Sequence, residues 1–214
     1  MEEIKRYWLN DEKTSWVDEF MLPEHLIPDE EIFEKIWDLH PPQYGKTRFG
    51  PSPRWFQSYG KGYYFSGTEH KGISVPKIIQ PWIDHANESL YAKMYGYSKE
   101  EAHKGFNEVL INWYKDGNHY IAAHSDNENQ LVQSKLGETI VWSSTFQEGE
   151  TSRIFRLKPI REKGMRNMEK LDIEMPNGVV LVMGGACQKT HKHQIPKTKK
   201  TVGRRINLTF RRFN

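Results

Sequence analysis

His124-Ser125-Asp126, His193 and the closing run Arg205-Ile206-Asn207-Leu208-Thr209-Phe210-Arg211 carry the side chains best suited to chemistry in this chain. Two imidazoles and one carboxylate on one face of a metal leave its other positions open, which suits oxygen activation by non-haem iron(II). The basic side chains close behind them supply what an anionic cosubstrate needs. A guanidinium meets a carboxylate through two parallel hydrogen bonds, so a dicarboxylate is a natural partner for Arg205 and Arg211. An His-x-Asp pair arises easily in a chain with nine His, and a histidine standing alone, as His193 does, is more often a hydrogen-bonded surface or core residue than a ligand. The weight lies in the pieces occurring together.

Strands must position them. In Tyr120–Asp126, alternation puts His124 and Asp126 on one face. The same rule gathers Arg205, Asn207, Thr209 and Arg211 on one side and Ile206, Leu208 and Phe210 on the other. Two arginines facing a barrel interior are costly unless an anion pairs with them. Upstream, Asn112 and Tyr114 share a face and offer neutral hydrogen bonds to the same ligand. His191 lies two residues before His193 on the same strand face, a rival for the third metal position.

The remaining pattern predicts the frame. From Phe106 the period is two, with Val109, Ile111 and Trp113 alternating with Leu110, Asn112 and Tyr114 before a turn at 115–118. Further strands are predicted at Thr139–Phe146, Arg153–Leu157, Leu171–Met175, Val179–Met183 and Arg205–Arg211, and Pro176-Asn177-Gly178 predicts a hairpin between two of them. Upstream, amphipathic helices are expected over Glu30–Leu39 and from Pro76 to about Leu90. Tyr44 to Gly67 reads as loops and short strands, and Lys93 to Lys104 as a loop with a helical turn. The expected fold mixes α and β: a double-stranded β-helix, or jelly roll, over about 106–214, buttressed by helices and short strands of about 1–105. One domain across 1–214 is expected.

At 214 residues the chain supports one sizeable core. Charged residues at 28% and apolar residues at 36% describe an ordinary soluble composition. A net charge of +3 confines any nucleic-acid affinity to local patches. The aromatic share of 13% is a surplus of the kind that lines flat ligand sites or stacks on bases. One Cys, Cys187, excludes an internal disulfide framework and fits a reducing compartment. The charged N-terminus does not read as a signal peptide, and no apolar run has the length of a membrane span. An intracellular monomer is expected, in the nucleus of a eukaryote or the cytoplasm of a bacterium.

The segment from Phe106 to Gly117, followed by His124-Ser125-Asp126-Asn127-Glu128, His193-Gln194-Ile195-Pro196 and Arg205–Arg211, resembles the AlkB family of Fe(II)/2-oxoglutarate-dependent dioxygenases. Tyr63-Tyr64-Phe65-Ser66-Gly67, preceded by Pro53-Arg54 and Tyr59-Gly60, is similar to that family's substrate-side segment. The likeness spans roughly the last two thirds of the chain, and its paired blocks are far more specific than any single motif. It implies that His124, Asp126 and His193 hold iron(II), His193 being preferred over His191 because Gln194-Ile195-Pro196 and the distance to Arg205 match the family pattern. It implies further that Arg205 grips the distal carboxylate of 2-oxoglutarate, with Asn112, Tyr114, Asn207 and Arg211 completing the pocket. Dioxygen is the third reactant, and formaldehyde and succinate are the products of removing an N-linked methyl.

The implied substrate is DNA, RNA or both, carrying N-methylated bases such as 1-methyladenine or 3-methylcytosine. Such a base must leave the stack to reach a buried metal. On the resemblance, Phe65 stacks on it opposite His124, Tyr63 and Glu128 meet its polar edge, and Arg54 lies on the same substrate side. The plainer reading makes Tyr63 and Phe65 core residues and Glu128 a solvated acid. Phe49 is a candidate duplex wedge, and Lys158, Arg161, Lys163, Arg166 and the stretch 197–204 are candidate phosphate contacts. Two other readings compete: the same chemistry on a protein or small molecule, and a silent jelly-roll binding module.

Overall fold

The computed structural model describes residues 3–47, 50–65, 68–92, 98, 100, 105–126, 131, 139–160 and 169–214, with the side chains of 63–65, 68–70 and 91–92 left aside. Two antiparallel sheets dominate it. The larger has seven strands in the order β1 (Lys5–Trp8), β2 (Ser15–Met21), β13 (Val179–Gly185), β10 (Val141–Gln147), β15 (Arg205–Arg211), β8 (Glu108–Tyr114) and β5 (Trp55–Gly60). The smaller has four: β12 (Leu171–Met175), β11 (Arg153–Pro159), β14 (His191–Ile195) and β9 (Ile121–His124). Two short ribbons, β3–β4 (Lys46–Thr47 with Gly50–Pro51) and β6–β7 (Tyr63–Phe65 with Thr68–His70), complete the strands.

Period-two patterning with apolar residues on both faces requires cover on both sides, and the central strands have it. Ile111, Trp113, Trp142, Phe146, Ile206, Leu208 and Phe210 face outward against helix α1 (Glu30–Trp37) and helix α2 (Gln80–Ala92). On the inner side Leu110, Tyr114, Val141, Phe155, Leu157, Ile173, Met175, Leu181 and Met183 fill the space between the sheets. Helix α1 begins where the Asp29 carboxylate accepts the Ile32 N–H at 2.8 Å. The helical side is pinned by two buried indoles, Trp113 Nε1 donating to the Ile36 carbonyl at 2.9 Å and Trp82 Nε1 to that of Leu26 at 2.7 Å. Two sheets with helices against one of them form the expected jelly-roll frame. No helix among the described residues is long and apolar enough to cross a membrane.

Two local expectations are corrected, and one pair of strands was not expected. Pro176-Asn177-Gly178 does form a turn, closed by Val179 N–H to the Pro176 carbonyl at 3.2 Å with Gly178 at φ +83°. It does not close a hairpin, because β12 belongs to the smaller sheet and β13 to the larger. Gly178 N–H donates to Thr145 O and its carbonyl accepts from Leu22 N–H, so the turn is recruited to carry the chain between layers. The strand through Tyr120–Asp126 is shorter than expected and ends at His124. At the N-terminus, β1 and β2 lack clean alternation yet pair into the large sheet, β2 running the length of β13 from Val179–Met21 to Gly185–Ser15.

Candidate metal and cosubstrate site

Strands β9 and β14 run antiparallel with His124 opposite His193, and the two rings stand 4.3 Å apart between centroids. Asp126 reaches the same place from beyond the strand end. Its N–H donates to Gln188 Oε1 at 2.9 Å, and the Ser125 hydroxyl donates to the His191 carbonyl at 2.8 Å, so the 125–126 backbone is held against the start of β14. His124, Asp126 and His193 each offer a ligand atom, all within 4.8 Å of one another. His191 is buried on the same face one strand repeat away, outside that group, with its Nδ1 on the Thr190 hydroxyl at 2.8 Å.

Charge and hydrogen bonding prepare these groups for a cation. His124 Nδ1 lies 2.9 Å from the Ala122 carbonyl, which makes Nδ1 the protonated nitrogen and leaves Nε2 as a lone-pair donor. Burial lowers the His124 pKa and, together with the His124 and Arg211 charges, takes His193 down to about 3, so both rings are neutral at pH 7. For Asp126, burial acts to raise the pKa, but the charges of Arg211 and the two histidines outweigh it and hold the carboxyl near about 2. Asp126 Oδ1 accepts from Arg211 Nη2 at 2.9 Å, while Oδ2 and the His193 Nδ1 are buried without a hydrogen-bond partner among the described residues.

Beside this triad β15 turns its polar face inward, as alternation predicts. Arg205, Asn207, Thr209 and Arg211 line one pocket with Asn112, Tyr114, Ser143, Arg54, His124 and His193. Arg205 is 2% exposed, its Nη2 donating to Thr145 Oγ1 at 2.9 Å, and it pairs with no carboxylate among the described residues. Its Nε and Nη1 are buried without partners, and burial lowers its pKa to about 10. The guanidinium lies 4.8 Å from the Tyr114 ring, which Arg153 approaches at 5.8 Å. A buried cation with unused donors fits an anion, and buried lone pairs next to it fit a metal. The residues therefore fit both iron(II) and a carboxylate cosubstrate.

Not every expected residue is equally available. The Asn207 amide is already engaged, Nδ2 with Ser143 Oγ at 2.8 Å and the Ser144 carbonyl at 2.9 Å, and Oδ1 with the Thr209 hydroxyl at 2.9 Å. Arg211 bridges two acids, Asp126 and Glu108, the latter at 3.3 Å. Arg54 is buried in the pocket with its Nε 2.6 Å from Asn112 Oδ1. Tyr63 and Phe65 contribute backbone to β6, and their side chains lie outside the described part. Glu128, Phe49, Arg161, Lys163 and Arg166 lie outside the described residues. In the basic stretch 197–204, Arg204 is not a solvated charge: it pairs with Glu34 and Glu148 and covers the Trp37 ring at 4.9 Å.

Three contributors escaped the sequence reading. Glu108 shares the period-two face of Asn112 and Tyr114, so alternation carried the signal. Arg153, whose guanidinium donates to the carbonyls of Asp116, His119 and Pro196 at 2.7–3.1 Å, had a weaker one in its strand position beside Phe155. Gln188, on the helical turn Cys187–Thr190 before β14, had none.

A family profile described as the 2OG-Fe(II) oxygenase superfamily matches residues 25–211. The chain belongs to this superfamily. Within it, the DNA oxidative demethylase ALKBH2 of Mus musculus is 32% identical over 164 residues, 75% of this chain and 62% of that protein. ALKBH2 of Bos taurus is 36% identical over 108 residues, 50% of this chain and 37% of its own length. The alpha-ketoglutarate-dependent dioxygenase alkB homolog 3 of Rattus norvegicus is 33% identical over 107 residues, 50% and 35%. These relatives bear out the likeness to the AlkB family, although the matched part spans little more than a third of the last two proteins. Among solved structures, OsALKBH1 aligns over 92% of this chain and 96% of its own with a TM-score of 0.54 and 19% identity. A Pseudomonas putida prolyl-4-hydroxylase aligns over 100% and 95% with a TM-score of 0.51 and 13% identity. Both show the fold alone. The superfamily's cofactors are iron(II), 2-oxoglutarate and dioxygen, and the first two match the cation and anion sites derived above.

Proposed function

We propose that this chain is an Fe(II)/2-oxoglutarate-dependent dioxygenase that removes N-linked methyl groups from nucleobases of DNA or RNA, releasing formaldehyde and succinate. The observation that carries this reading is the juxtaposition of the compact His124–Asp126–His193 group with the carboxylate-free buried Arg205 in one pocket. Cation and anion sites side by side are what a metal-chelating keto acid with a second carboxylate requires.

In this reading His124, Asp126 and His193 would hold the iron, and Arg211 engages one oxygen of Asp126, leaving Oδ2 as the oxygen that could serve as ligand. Arg205 would bind the distal carboxylate of 2-oxoglutarate with Tyr114 beside it, Asn112 would donate from the neighbouring strand β8, and Asn207 braces Ser143 and Thr209 around them. The bound metal and cosubstrate together supply an oxidant for a C–H bond adjacent to nitrogen. Leu110, Phe155 and Met183 form the apolar part of the pocket wall and would limit water around a bound cosubstrate. The hydroxylated methyl then leaves as formaldehyde. Tyr63, Phe65 and Glu128 receive the base on the strength of the sequence likeness, and the similarity to the DNA oxidative demethylase ALKBH2 supports a nucleobase.

The test is formaldehyde release from matched DNA and RNA oligonucleotides carrying 3-methylcytosine, with iron(II) and 2-oxoglutarate. Formaldehyde together with unmodified cytosine is expected. Succinate without formaldehyde on both polymers would leave the dioxygenase standing and overturn the nucleobase substrate.

A further inference from the structure

Arg54 arrives in the pocket from the residue just before β5, on the edge of the large sheet, and is 4% exposed. Its Nε donates to Asn112 Oδ1 at 2.6 Å, and its guanidinium lies 5.5 Å from the Phe56 ring. Arginine has donors only, so the atom of Asn112 that faces it must be the amide oxygen. That fixes the flip of the Asn112 side chain. With Oδ1 taken, the group Asn112 has left is its NH2, which makes no hydrogen bond among the described residues and borders a pocket containing Arg205, Asn207 and Arg211. Had Oδ1 faced the pocket instead, it would repel a carboxylate.

We infer that Arg54 is a positioning residue for the anionic cosubstrate: it locks the Asn112 amide with its NH2 toward the pocket and so makes Asn112 a carboxylate donor. This rests on the function proposed above and departs from the substrate-side role that the sequence likeness gives Arg54. The chain runs on from Arg54 through β5 into β6, which carries Tyr63 and Phe65, so the cosubstrate pocket and the segment expected to meet the base are joined by one short stretch of chain.

Glutamine separates geometry from charge, because its Nε2 stands the same number of bonds from the backbone as the Nε of arginine. The experiment is calorimetric titration of 2-oxoglutarate into the full chain loaded with manganese(II), a redox-inert stand-in for iron. The parent, Arg54→Ala, Arg54→Gln, Asn112→Ala and the double alanine variant are compared. Arg54→Ala and Asn112→Ala should each weaken binding about tenfold, the loss of one hydrogen bond to a charged group. The double variant should be no weaker than either single one, because both remove the same interaction. Arg54→Gln should bind within about twofold of the parent. In turnover, Arg54→Ala should raise KM for 2-oxoglutarate by a larger factor than it lowers kcat.

Additive losses, or an Arg54→Gln variant as weak as Arg54→Ala, overturn the inference in favour of a bulk charge effect. Unchanged 2-oxoglutarate binding in Arg54→Ala with a raised KM for oligonucleotide returns Arg54 to the substrate side. Should Arg54→Ala not fold, Arg54→Gln beside Asn112→Ala decides alone: parental affinity in the first with loss in the second upholds the lock, and loss in both overturns it. A parent that binds no 2-oxoglutarate at all overturns the proposed function instead.

Discussion

Arg205 should make the protein less stable on its own and more stable with cosubstrate, and Arg205→Met should reverse both. The guanidinium is buried without a carboxylate partner among the described residues, and burial depresses its pKa from 12.5 to about 10. It is charged in both folded and unfolded chains at neutral pH, so the whole penalty is present there and is relieved only as pH rises above about 10. A shift of that size corresponds to about 3 kcal/mol. Methionine keeps length and apolar contact with Tyr114 and removes the charge. It also removes the hydrogen bond to Thr145, about 1 kcal/mol. The net gain is about 2 kcal/mol, which for a domain of this size raises Tm by roughly 4–8 °C.

Thermal unfolding at pH 7.5 with manganese(II), with and without 2-oxoglutarate, reads both halves. At a hundredfold excess over Kd, ligand stabilises the parent by about 2.7 kcal/mol. The variant should gain almost nothing, since truncating one partner of a buried charge pair costs about 2–5 kcal/mol of binding. The two curves therefore cross: variant above parent without ligand, parent level with or above variant with it. A variant that melts well below the parent and still gains the full ligand shift would show Arg205 to be a structural strut, and the anion site would have to be sought elsewhere.

The candidate site was legible in the sequence where its residues sit on regular strands. Period two alone set Arg205, Asn207, Thr209 and Arg211 on one face and Ile206, Leu208 and Phe210 on the other, and the fold keeps that division. Where the chain leaves regular geometry, the reading stops. Asp126 was expected beside His124 by strand alternation, but it reaches the group from beyond the end of β9, where Gln188 holds its backbone N–H, an interaction with no local signature. The proline-glycine turn at 176–178 was visible, yet which sheet its flanking strands join depends on long-range pairing of β13 with β2 and β10. Strands β1 and β2 were missed because β2 is nearly continuous in burial and mixed in character, Ser15-Trp16-Val17-Asp18 being buried together with Asp18 neutralised by Arg6 at 2.6 Å. Engagement was equally invisible: strand alternation shows that Asn207 faces the pocket, not that its amide is already bonded on every side.

Two further expectations concern the triad and its support. His193→Ala should lose iron after reconstitution while His191→Ala retains it, measured as metal per chain; iron retained in the first and lost in the second would move the third ligand to His191. Glu108 tests the chain of charges behind Asp126. Burial raises its carboxyl to about 7, against the opposing pull of Arg211 at 3.3 Å and the Ser58 hydroxyl at 3.0 Å. An acid whose folded pKa is raised contributes stability that is fully present below the unfolded value near 4.5 and is lost as pH rises through 7, here up to about 3 kcal/mol. His193, depressed to about 3, acts in the opposite sense as pH rises toward the unfolded histidine value. The parent's own pH profile thus mixes the two, and the difference between Glu108→Gln and parent isolates Glu108. That difference should grow in the variant's favour from pH 5 to pH 7.5 and level off above. If it stays flat, Glu108 is ionised throughout, and Arg211 is held between two full negative charges.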